Sequence, residues 1–156
     1  MQAQRDYFAA EHDGTSEVYA QRLVSRAGKH DGLYWPSADG DAESPFGPML
    51  SGAACEGDVV TEVAKQPFHG YYFRTLCAQG AHAPGGSKSF LDEKGLMSGG
   101  FAMLAWPDKY GNSGVMTFQV NEAGVVFQKD LGPETEKLAL KIQAYDPDDS
   151  WSATTD

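Results

Sequence analysis

Between residues 99 and 132 the apolar and polar positions follow the pattern of a sheet. The runs 101–106, 115–120 and 125–129 are strand-like, and Pro107, the Gly111-Asn112 pair and the stretch 121–124 supply turn chemistry at the reversals. In the second run Met116, Phe118 and Val120 alternate with Thr117 and Gln119, which predicts one oily face turned to the core and one turned to water. Gly124 suits a left-handed position in the loop 121–124, so Val125 and Phe127 are expected to resume the oily face on the return strand. A slip of one residue would move that whole set to the other side.

The run 70–78, GYYFRTLCA, is aromatic and β-branched enough to make a further strand. From there to residue 100 the chain is rich in turns, with Asp92-Glu93-Lys94-Gly95 as a loop tip. At the start, 2–11 reads as a helix with Ala3, Tyr7 and Ala10 on one stripe. A second helix is expected over 15–27, capped by Thr15 and Ser16, with Tyr19, Leu23 and Ala27 on one face and Gly28 at its end. Pro133 is placed to open a final helix whose buried stripe is Leu138, Ile142 and Tyr145, and Pro147 stops it. Trp151 anchors the acidic end before a frayed tail, 152–156. The stretch 30–59 has little periodicity and is expected to be pinned to the domain by its aromatic residues. The pattern is α+β: one domain, 1–151, with an antiparallel core sheet of about four strands and helices from both chain ends packed on it.

At 156 residues the chain suits one domain with a real core. Its 18 glycines and 8 prolines predict extensive loops. A formal charge of -10, without any run of Lys and Arg, argues against nucleic acid as a partner. No apolar run approaches the roughly 20 residues of a membrane helix, and the first residues lack the centre of a signal peptide. A polar helix directly after Met1 suggests that an export signal or anchor lies upstream. Of the two cysteines, Cys55 falls in a loop and Cys77 in a strand, too few for a four-thiolate zinc site. They either stay free or pair; in an exported protein a disulfide would stabilise by roughly 3 kcal/mol.

Chemistry is sparse. His-Asp-Gly occurs at His12 and again at His30, and could orient an imidazole or ligate a metal, although Asp before Gly in a turn explains each copy more simply. His69 and His82 have no motif partner. The stretch Pro84 to Ser89 lacks the glycine spacing of a phosphate loop, and neither Ser87 nor Ser89 sits in a nucleophile elbow. Asp31, Asp92, Glu93 and Asp108 cannot be paired from sequence. No cofactor or metal site is expected. The strongest candidate for binding is the aromatic set Tyr34, Trp35, Trp106 and Tyr110, in which each Trp precedes a Pro; flat rings can stack on sugars or peptides, and equally they fill cores.

The segments DGLYWP (31–36), SPFGP (44–48), GYYFRTL (70–76), APGG (83–86), GGFAMLAWPDKYGNSGVMTF (99–118) and VVFQKDLG (125–132) closely resemble the bacterial family known as domain of unknown function 2950, over about residues 4–151. That resemblance implies an exported, periplasmic envelope protein and carries over no activity. The run Ala3-Gln4-Arg5-Asp6-Tyr7, a GYxF strand and a YGxxGxxxF hairpin are also similar to the soluble head of pilins and pseudopilins, whose long apolar half-helix this chain lacks. The expectation is a non-enzymatic envelope domain that binds a protein, peptide or glycan or supports a pilin-like assembly. The rival is a hydrolase of cell-wall or glycan substrates.

Overall fold

In the computed structural model, residues 1–36, 44–45 and 67–154 are described. Helix α1 spans Gln2–Ala9, and two short strands, β1 (Arg22–Val24) and β2 (Gly32–Tyr34), pair in parallel. Next come β3 (Tyr71–Leu76), the small hairpin β4 (Ala78–Gln79) and β5 (Lys88–Ser89), β6 (Ala102–Pro107), β7 (Met116–Asn121), β8 (Phe127–Asp130), α2 (Thr135–Ala139) and β9 (Ser152–Ala153). The central antiparallel sheet has five strands in the order β3-β6-β7-β8-β9, so the α+β class holds with one strand more than expected. That strand is Ser152–Ala153, which pairs with β8 where the sequence suggested a frayed tail.

Each face of this sheet carries its own core. Tyr72, Arg74 and Leu76 oppose Trp106, Leu104 and Ala102, and the same face continues across β7 through Gln119 and Asn121 to Phe127. Phe90, Met97, Phe101, Ala139 and Tyr145 close over it. On the other face Met103, Phe73 and Val120 meet Tyr7, Ala20, Leu23, Leu33 and Trp35 from the N-terminal unit.

The β7–β8 hairpin departs from the expected register. Gln119 opposes Phe127 and Phe118 opposes Gln128, so Phe127 shares a face with Thr117 and Gln119. Asn121 is the cause: its carbonyl accepts from Gly124 N and its side chain from Ala123 N, and Val125-Val126 stay outside the ladder, shifting the return strand by one residue. Thr117 and Gln119 are wholly buried, whereas Met116, Phe118 and Val120 are only half-buried and Val125 is exposed.

Both long helices of the sequence reading are corrected. Over 15–27 there is no helix: Glu17 takes a left-handed φ of 57°, Tyr19 N bonds Met97 O, Ala20 N bonds the Gln4 side chain, and Leu23 lies in β1. The C-terminal helix stops at Ala139, and Tyr145 reaches the core from an extended segment that bonds Ala78 and Gly80. What ends it is Arg74. This buried guanidinium donates to the carbonyls of Ala139, at 3.2 Å, Leu140, at 3.4 Å, and Ile142. It adds to the donors that Ala139 O and Leu140 O find in Ile142 N and Gln143 Nε2 just past the helix end.

Replacing Arg74 by Met removes all three donations; Ala139 O keeps Ile142 N at 3.1 Å and Leu140 O keeps Gln143 Nε2 at 3.0 Å, so the Ile142 carbonyl carries the loss. A loss of about 1–3 kcal/mol is expected in urea unfolding, the cost of one acceptor left unpaired. Arg74→Lys, with one ammonium in place of a planar fork, should recover only part of it.

Candidate functional site

The two His-Asp-Gly triplets come together. The first makes a tight reversal: His12 N and Thr15 N bond each other's carbonyls at 2.8 and 2.9 Å, with Asp13 and Gly14 at φ 50° and 80°. The second lies just before β2, where Asp31 accepts from the backbone N, at 2.9 Å, and the Nε of Arg26. Between them His30 N donates to Asp13 Oδ2 at 3.0 Å, and the Tyr7 hydroxyl donates to His30 O at 2.7 Å. His12 stacks on Tyr7, with centroids 4.0 Å apart, and both imidazoles border Trp35 at 5.5 and 4.6 Å.

The electrostatics suit a structural knot. His12 is shifted below its ordinary pKa, chiefly by burial and further by His30, against a hydrogen bond to Tyr7 O and the charge of Asp13. Because a carbonyl only accepts, His12 Nε2 at 3.1 Å from Tyr7 O carries the proton. The Tyr7 hydroxyl is pushed up to about 12 by burial and by Asp31 and Asp13.

His82 is the contrasting imidazole. Asp146 grips it twice, through His82 N at 2.8 Å and Nδ1 at 3.1 Å, and this exposed pair raises the His82 pKa. Gly80 faces the Asp146 carboxylate so closely that no Cβ fits there. Such a pair can orient an imidazole for general-base work. Among the described residues, no group of three His, Cys, Asp or Glu is arranged to hold a metal.

The four aromatic candidates are not brought together. Trp35 is 3% exposed and Trp106 1%, in the two cores on opposite sides of the sheet. Tyr34 is half-buried in β2, and Tyr110 sits in the β6–β7 turn with its hydroxyl donating to Asp130 at 3.1 Å. Cys77 is half-buried against the larger core, whereas Cys55 and its pairing lie outside the described residues.

The sequence reading missed a groove. On the sheet face opposite α2, Tyr71, Phe73, Met103, Ala105, Phe118 and Val120 line a cavity of about 380 Å³, together with Met1. Its sequence signal is the Met116-Phe118-Val120 alternation, which reads equally as core.

The chain belongs to the family described as Protein of unknown function (DUF2950), which it matches over residues 1–154. No curated protein and no solved structure matches it.

The two histidines should titrate in opposite directions from 6.5, His82 above and His12 below, in NMR of the ring protons. The folded state holds the His82 proton more tightly, so its stabilisation is full below pH 6.5 and fades as the pH rises through the higher folded value. Protonation of His12 instead favours unfolding, so its contribution falls as the pH drops from 6.5 toward the lower folded value. Asp146→Asn should return His82 toward 6.5 and leave His12 unmoved. Two coincident titrations would contradict both environments. Trp35→Ala and Trp106→Ala should each destabilise by about 3–5 kcal/mol in thermal or urea unfolding, as fits large buried rings.

Proposed function

We propose that this is a bacterial cell-envelope domain, periplasmic or otherwise exported, that acts by binding. The observation that carries the reading is a contrast of surfaces. The described imidazoles are bound up in turns and ring stacks or lie exposed on a rim, while the concave surface on the sheet is apolar and, among the described residues, has no carboxylate, imidazole, lysine or arginine side chain in its lining. An apolar hollow supported by a five-stranded sheet suits recognition without turnover. The resemblance to exported envelope proteins supports the location. A protein, peptide or glycan of the envelope is then the partner class. The antiparallel sheet is also compatible with a pilin-like head, in which the same domain would serve assembly.

One observation favours hydrolysis as the second reading: His82 is held by Asp146 in the manner of an oriented general base.

Two measurements decide between them. Fractionation of cells carrying the natural gene should recover the protein with the periplasm or envelope, and cytosolic recovery would overturn the location. Incubation of the purified protein with cell-wall glycan should release no soluble fragments. Sustained release that is lost in His82→Ala would establish the hydrolase instead.

A further inference from the structure

We propose that the groove on the sheet binds the hydrocarbon part of a small amphiphile with an uncharged head group, an inference that rests on the binding reading above and names its ligand class. The groove is built from three adjacent strands. Phe73 opposes Ala105, Ala105 opposes Phe118, and Met103 opposes Val120, so these side chains leave the sheet on one face as a contiguous apolar floor. Tyr71 and Phe118 extend it, with ring centroids 5.9 Å apart. Its volume of about 380 Å³ lies within the 300–1,000 Å³ usual for small-molecule sites.

Charge narrows the class. Among the described lining residues the phenol of Tyr71 is the one ionisable side chain, so an ionised group carried into the floor would lose its water without gaining a partner. Beside the floor, Asp130 opposes Met116, one step along the same face from Phe118, and accepts from Tyr110. With a chain charge of -10, an anionic head is repelled on approach. Hydrogen-bonding groups of an uncharged head can meet the Tyr110–Asp130 pair while the hydrocarbon fills the floor. Half-buried Met116, Phe118 and Val120 beside wholly buried Thr117 and Gln119 invert the usual distribution, and an apolar occupant would complete the burial.

The test uses the full chain and alkyl glucosides of increasing length, kept below micelle-forming concentrations, followed by calorimetry and by amide shifts in NMR. Affinity should rise about fourfold per added methylene until the groove is full, with the shifts confined to 71–73, 103–105 and 118–120. Ala105→Leu, which fills the groove from its floor, should abolish binding while the protein stays folded. Val120→Thr keeps the shape, adds a hydroxyl, and should weaken binding several-fold, so the test stands even if the larger residue is not tolerated. An alkyl sulfate of equal length should bind several-fold more weakly at low salt, and the gap should close at high salt. Affinity independent of chain length, shifts elsewhere, unimpaired binding by both variants, or preference for the sulfate would overturn the proposal. A flat titration with envelope recovery removes only the ligand class; alkyl binding with cytosolic recovery removes only the envelope reading.

Discussion

Backbone groups in irregular segments must find hydrogen-bond partners when they are buried, and this constraint governs how the chain is held together. The described segments between strands are long and mostly without regular structure, so long polar side chains serve as partners from inside the protein. Arg74 on β3 meets three carbonyls beyond the core of α2. Gln4 on α1 exchanges two bonds with Ala20, from Nε2 to its carbonyl and from its amide to Oε1, both at 2.8 Å. Gln79 donates to Pro84 O and Gly86 O, and Gln119 accepts from Asp146 N at 3.2 Å. All four side chains belong to buried residues. A buried guanidinium is costly in isolation, and only a full set of acceptors makes its position stable.

The same constraint explains which parts of the fold were legible. Strands β3, β6 and β7 could be read from alternation and turn chemistry, because their hydrogen bonds are satisfied by neighbouring strands whatever covers them. The segments 15–27 and 140–145 could not, since apolar residues at helical spacing were placed there by distant partners: Met97 O and Gln4 for the first, Ala78 O and Arg74 for the second. Propensity gives way when tertiary hydrogen bonds offer the backbone a better arrangement. The short helix that does form is bounded by those contacts.

The candidate site was legible in its residues and illegible in its geometry. The repeated His-Asp-Gly was visible, and the first copy is indeed a turn whereas the second runs into β2; what sequence could not supply is that Asp13 of one copy accepts from His30 of the other, with Trp35 beside both rings. Trp35 and Trp106 stood out as a pair, yet the sheet runs between them. His82 had no partner within its own segment because Asp146 lies across the fold.

Register decides the remaining question of surfaces. If Val120 were followed directly by a return strand opposing Val125, Phe118 and Phe127 would share one oily face. The Asn121 turn displaces the pairing by one residue, so Phe127 instead joins Tyr145, with ring centroids 6.4 Å apart, beneath the C-terminal segment. Thr117 and Gln119 lie inside because β6 pairs Leu104 with Gln119, and there Gln119 holds the backbone of Asp146. The same pairing sets Phe118 opposite Ala105 and Val120 opposite Met103, on the face that the N-terminal unit covers only in part. The β6–β7 register thus decides which side of β7 is structural, and the Asn121 turn decides which side Phe127 joins.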